Sequence, residues 1–168
     1  MTRWINAANL VTLLRLVLVP FVILAILDGH LTLALALFAA AAFTDVLDGA
    51  VARRFRLATP EGAWFDPIAD KCLLSGVFLA LAVAGKVPWW LVAIVFGRDF
   101  YLLAGTATVM LLTPTREFPP SIWGKVSTFV QIVTAVVSMA GNSSAMFAPC
   151  AAFTIWSGIH YTWRAIPR

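Results

Sequence analysis

Charge is what this chain most conspicuously lacks. Only 12% of its 168 residues are Asp, Glu, Lys or Arg, where a soluble domain carries about a quarter. With 61% hydrophobic residues and a mean hydropathy of +0.91, too little polar surface remains to cover a soluble core, so a water-soluble protein is excluded. Cysteine is nearly absent too. Cys72 and Cys150 lie in apolar stretches without ligand spacing, which argues against a disulfide framework or a thiolate metal site and leaves packing as the expected role of both. The net charge of +4 is thinly spread beside apolar segments, a pattern of membrane proteins and not of nucleic-acid binders. No cleavable leader is expected, because Arg15 interrupts the first apolar run and no convincing small-residue cleavage site follows it. Internal repeats are missing as well, and residues 1–168 read as a single membrane domain.

What is present is a series of membrane-length apolar runs. A spanning helix needs about 20 mostly apolar residues, and that ruler marks spans near 9–27, 31–49, 65–84, 88–112, 122–140 and 144–163. The fold class expected is all-α, a polytopic membrane protein of six transmembrane helices. Turn residues separate the runs at Asp28-Gly29, Gly85-Lys86, Pro114, Pro119-Pro120 and Gly141-Asn142. Ahead of the first span, 1-MTRWINAAN-9 mixes Trp4 and Ile5 with Arg3, Asn6 and Asn9. It reads as a short interfacial amphipathic helix, the alternative being a frayed terminus.

Charge asymmetry orients the bundle. With six spans, Arg3, Arg53, Arg54, Arg56, Arg116, Arg164 and Arg168 share one side, and Lys86 alone lies on the other. The positive-inside rule puts both termini and the 53–62 loop in the cytoplasm, in the inner (cytoplasmic) membrane.

The acids are few but patterned. Asp45, Asp48, Gly49, Ala52 and Arg53 fall at i, i+3, i+4, i+7 and i+8, one stripe on a helix. Gly62, Asp66 and Asp70 follow at four-residue steps on the next run. The connection between the two helices is short, so they are expected to pack as an antiparallel pair with all four carboxylates converging at the cytoplasmic end. Like-charge repulsion and the cost of intramembrane acids make that unfavourable without a counter-ion. Hard oxygen donors, with no His nearby, select Mg²⁺, Mn²⁺ or Ca²⁺ over zinc. Plain helix-end ion pairs with Arg53, Arg54 and Lys71 are the structural alternative. Gly49 and Ala52 leave bare helix beside the acids, suited to a close-approaching phosphate or equally to helix packing.

The full string D-x-x-D-G-x-x-A-R-x8-G-x-x-x-D-x-x-x-D, Asp45 to Asp70, resembles the signature of the CDP-alcohol phosphotransferases at every defined position. The stretches 9-NLVTLLRLVLVP-20 and 124-GKVSTFVQ-131 are similar to first- and fifth-helix patterns of the phospholipid-synthesising branch. The resemblance implies a six-helix enzyme, usually a homodimer, that transfers a phosphatidyl group from CDP-diacylglycerol to an alcohol and releases CMP. It implies Mg²⁺ or Mn²⁺ held by Asp45, Asp48, Asp66 and Asp70, with Asp70 as general base. Gly49, Ala52 and Arg53 would line the nucleotide pocket, and Gly62 belongs to the same substrate-binding signature.

The acceptor is less sharply marked. Arg98 and Lys125 are basic residues inside spans and are candidates to hold an anionic acceptor, glycerol 3-phosphate or phosphatidylglycerol. The alternatives are an Arg98–Asp99 ion pair and a snorkelling Lys125. The stretch 98-RDFYLLAG-105 departs from the R-E-x-x-x-x-x-x-R pattern of phosphatidylglycerolphosphate synthases, since Thr106 stands where a second arginine would be. Its Arg-Asp pair looks like cardiolipin synthases, whereas Gly124-Lys125 favours glycerol 3-phosphate, the acceptor expected here. A divalent-cation transporter and an aspartate-rich prenyltransferase are the rivals, though neither requires the Gly and Ala-Arg positions of the signature.

Overall fold

The computed structural model describes residues 7–55, 62–112, 122–141 and 144–165, with side chains at 16–44, 71–105, 122–141 and 144–163. Six helices fill them: α1 Ala7–Leu27, α2 Leu31–Phe55, α3 Gly62–Val83, α4 Trp89–Leu112, α5 Ile122–Met139 and α6 Ser144–Ala165. There is no strand among the described residues, and the fold is all-α. Every helix sits on one of the apolar runs. The largest departure is α2, which continues past residue 49 to Phe55. An apolar ruler stops where lipid-soluble side chains stop, whereas the backbone goes on bonding through Ala50, Ala52, Arg53 and Arg54, among them good helix formers. The 1–6 part of the expected interfacial segment lies outside the described residues.

Helix ends follow the glycines. Gly29 and Gly141 adopt φ of 78° and 93°, a left-handed conformation that ends a helix at low cost only for glycine. At the first, Gly29 N–H donates to the Ile26 carbonyl (3.1 Å), satisfying one of the last orphan acceptors of α1.

Two compact units divide the chain, Met1–Ala84 and Gly85–Arg168. In the first, α1 packs against both α2 and α3. Ala34, Phe38 and Ala41 of α2, and Leu73, Val77 and Leu81 of α3, are buried at helical spacing around Val22 and Ile26 of α1. The extensive packing therefore runs through α1, and the direct α2–α3 pair expected from the short connection is not part of it among the described residues. Gly76 lets α3 approach α1: a Cβ there would lie 2.9 Å from Ile23 Cδ1 and 3.6 Å from Val19 Cγ1. Since the nearest atom is the tip of a flexible side chain, Gly76→Ala is expected within about 1 kcal/mol of wild type, helped by helix propensity. Gly76→Leu overfills the contact and costs about 1–3 kcal/mol. Thermal unfolding in detergent checks the pair, and equal midpoints for the two variants would refute the close approach.

In the second unit, α6 packs against α5 and α4. Its exterior is apolar, with Phe100 at 75% and Ile122 at 77% exposure. Its interior is partly polar: Ser127, Gln131, Thr134 and Ser138 of α5 and Thr154 and Ser157 of α6 are all buried. Cys150 is buried as expected, but Cys72 is exposed on α3, so packing accounts for only one of the two free cysteines. Position decides this, because Cys72 lies next to Leu73 in the helix but off the face that α3 turns to the core. By length and composition one described helix, Ile122–Met139, suffices to cross a membrane. Three shorter apolar stretches, Leu16–Leu27, Leu31–Thr44 and Lys71–Val83, continue into helices whose remaining side chains lie outside the described residues.

Candidate active site

The defined residues of the signature all fall on helix. Asp45, Asp48, Gly49, Ala52 and Arg53 occupy the last turns of α2, and Gly62, Asp66 and Asp70 the first turns of α3. Because the backbone is helical there, the three- and four-residue spacings place each set at register positions along one stripe of its helix. The side chains of all eight lie outside the described residues. The connection from Phe55 to Gly62 can span at most about 25 Å, which bounds how far apart the two charged helix ends can be. Among the described residues no three His, Cys, Asp or Glu gather to hold a metal ion.

Arg98 is described in full and is almost enclosed, with its side chain 10% exposed. Its Nη1 donates to Asp99 Oδ1 at 2.7 Å, and its Nη2 to Ser157 Oγ at 2.9 Å. The ion pair weighed from sequence is thus present, and a second tie reaches across to α6. Nε is buried without a hydrogen-bond partner. Arg98 lines a cleft of about 400 Å³ between α4 and α6, whose walls include Ile94, Gly97, Ile155 and Gly158. The Tyr101 and Thr162 hydroxyls, both lining it, are joined at 2.8 Å. Lys125 is exposed on the first turn of α5, close in sequence to Trp123, whose ring packs edge-on against Trp156 of α6 at 6.1 Å.

A polar seam between α5 and α6 escaped the sequence reading. Gln131 Nε2 donates to Thr154 Oγ1 at 3.2 Å, and the Ser127 hydroxyl lies 3.4 Å from the same oxygen. Thr134 and Ser138 continue the seam by donating to the carbonyls of Val130 and Thr134, each at 2.7 Å. The contacts to Thr154 tie α5 to α6, and the last two satisfy hydroxyls within α5 itself. The signal was available: polar residues at 127, 131, 134 and 138 keep a 4-3-4 spacing through an otherwise apolar run. Ser157, three residues after Thr154, is the point where this face of α6 meets Arg98.

The chain is similar in sequence to known proteins. A probable phosphatidylglycerophosphate synthase of Mycobacterium tuberculosis is 37% identical, covering 98% of this chain and 83% of the relative. The CDP-diacylglycerol–glycerol-3-phosphate 3-phosphatidyltransferase of Bacillus subtilis is 30% identical, covering 94% of this chain and 89% of its own length. A probable CMP-forming cardiolipin synthase of Drosophila melanogaster is 34% identical over 78% of this chain and 46% of the relative. The family model described as CDP-alcohol phosphatidyltransferase matches residues 5–161, running through both compact units and taking in the whole Asp45–Asp70 signature. This chain belongs to the CDP-alcohol phosphatidyltransferase family.

Proposed function

We propose that this chain transfers the phosphatidyl group of CDP-diacylglycerol to glycerol 3-phosphate, releasing CMP. The observation that carries this is the unbroken signature from Asp45 to Asp70, lying in helical register on α2 and α3 within a family match to residues 5–161. The Mycobacterium tuberculosis and Bacillus subtilis relatives, each aligned over most of its length, support glycerol 3-phosphate as acceptor. Family membership removes the grounds for a cation transporter.

Residues 1–168 act as one membrane domain with six spans, both termini and the site facing the cytoplasm. Helix lengths of 21, 25, 22, 24, 18 and 22 residues suit a bilayer core of about 30 Å. The apolar exterior and partly polar interior of α4–α6 suit lipid as solvent. Pro20 in α1 and Pro149 in α6 are tolerated in such helices. The working form is a homodimer.

Asp45, Asp48, Asp66 and Asp70 are the residues that would hold a divalent cation. Four carboxylates without an imidazole or thiolate form a hard donor set suited to Mg²⁺ or Mn²⁺. When bound, such an ion supplies charge neutralisation for the diphosphate and for departing CMP. The protein's own contribution is placement and one proton. Gly49, Ala52, Arg53 and Gly62 seat the cytidine diphosphate, small residues admitting it close to the helix backbone. Asp70 accepts the proton of the acceptor hydroxyl as its oxygen bonds to the lipid-side phosphorus. The phosphorus–oxygen bond to CMP breaks, and CMP leaves. Arg98 and Lys125 hold the phosphate of the acceptor.

The Arg98–Asp99 pair, at 2.7 Å, favours a second reading, cardiolipin synthesis with phosphatidylglycerol as acceptor, in keeping with the name of the Drosophila melanogaster relative. An acceptor panel decides between them. Purified protein with CDP-diacylglycerol and Mg²⁺ is expected to release CMP with glycerol 3-phosphate at least about a hundredfold faster than with phosphatidylglycerol, glycerol, inositol or serine, since a site built for one polar group rejects analogues strongly. Faster release with phosphatidylglycerol would replace the first reading by the second.

A further inference from the structure

We infer that Ser157 is a positioning residue for the acceptor, acting through Arg98; this rests on the reading that Arg98 holds the acceptor phosphate. Arg98 carries its charge on a long flexible stem, and binding an anion with it ordinarily costs rotamer freedom. Here that freedom is removed beforehand at two points. Asp99, the next residue along α4, takes Nη1 at 2.7 Å, and Ser157 on α6 takes Nη2 at 2.9 Å. The two ties differ in kind. Asp99 moves with α4 itself, so alone it leaves the guanidinium free to pivot with its own helix. Ser157 belongs to the facing helix, is only 1% exposed, and lies three residues from Thr154, which is bonded to Gln131 of α5. It therefore holds the guanidinium plane against a helix that is itself held. Gly158, next to it, lies alongside the stem: a Cβ there would sit 3.9 Å from Arg98 Cγ, an ordinary contact.

The orphaned Nε gives the plane its significance. A buried donor without a partner is costly in any native structure, and the two ties leave this one unsatisfied within a side chain that lines the α4–α6 cleft. A guanidinium held at both terminal nitrogens keeps a fixed fork, and a planar fork recognises phosphate oxygens by its orientation as much as by its charge. Ser157 sets that orientation, while Asp99 offsets part of the charge.

The test is a double-mutant cycle on the full-length detergent-purified protein, read as separate KM values for glycerol 3-phosphate and CDP-diacylglycerol. Ser157→Ala is expected to raise the glycerol 3-phosphate KM about tenfold, the size of losing one hydrogen bond to a charged group. The CDP-diacylglycerol KM stays as in wild type, which also shows that the variant is folded. In an Arg98→Ala background, Ser157→Ala adds nothing further, because its effect passes through the guanidinium. Equal penalties in both backgrounds would make Ser157 merely structural and overturn the inference. If Arg98→Ala raises the acceptor KM and Ser157→Ala does not, positioning falls while the acceptor reading stands; if Arg98→Ala changes nothing, both fall. Should Ser157→Ala not purify as a single species, Ser157→Cys, close in volume but a weak acceptor, is expected to show the same selective loss. A wild-type acceptor KM in that variant would refute the inference equally.

Discussion

Asp70→Asn should fold, still bind CDP-diacylglycerol, and lose turnover by about two to four orders of magnitude, the range that a positioned proton acceptor contributes. The substitution is nearly isosteric and keeps one oxygen that can serve as a ligand, since amide carbonyls coordinate hard cations. It removes the charge and the ability to take a proton. Binding and chemistry should therefore separate: nucleotide affinity within a few-fold of wild type, kcat collapsed. Asp45→Ala and Asp48→Ala, which remove a ligand oxygen outright at positions proposed to have no proton-transfer role, should weaken binding along with kcat. The measurement is CMP release under saturating donor and acceptor beside equilibrium binding of the donor. Turnover of Asp70→Asn within tenfold of wild type would take the base role away from Asp70.

Much of the helical layout was legible in the sequence because long apolar runs bounded by turn residues favour helices, and because three of the described helices end at a glycine. The six runs lie where α1 to α6 lie, and the breaks at Gly29, Gly85 and Gly141 are the three positive-φ glycines among the described residues. The polar end of α2 was cut short, since a hydropathy ruler is blind to backbone bonding beyond the apolar side chains. Tertiary pairing was less legible. Among the described residues α2 and α3 each pack on α1, while the side chains at the charged ends where the two are expected to meet lie outside those residues. At the site, the spacing of Asp45, Asp48, Asp66 and Asp70 could be read because chemistry restricts residue type at fixed intervals. Ser157 could not, since a lone serine on an apolar helix is indistinguishable from a packing residue until Arg98 is seen 2.9 Å away. The same holds for Cys72, where an apolar neighbourhood in sequence proved to be an exposed face in space.

Stripping divalent ions with a chelator should abolish CMP release, by more than about a thousandfold, and should also lower the thermal midpoint. Both effects arise from one cause. In the proposed site the four acids of α2 and α3 converge and repel one another, and each costs up to about 2.5–3.5 kcal/mol at membrane depth, less toward the interface. An ion bound only by the folded state offsets this, and at a hundred times its Kd it stabilises by about 2.7 kcal/mol. Mg²⁺ or Mn²⁺ should restore both activity and midpoint. A carboxylate-to-amide change then has opposite consequences for the two readouts. Asp66→Asn, left with a neutral and weaker ligand, should need far more Mg²⁺ than wild type for activity, yet its ion-free form should melt no lower than ion-free wild type, because one repulsive charge is gone. A site kept for chemistry at the expense of stability behaves in this way. Helix-end ion pairs with Arg53, Arg54 and Lys71 predict the reverse, since removing an acid would then leave a cation unpaired and lower the midpoint whether or not metal is present. Chelator-resistant activity together with such a metal-independent loss would assign the aspartates to those pairs and end the metal-centred account.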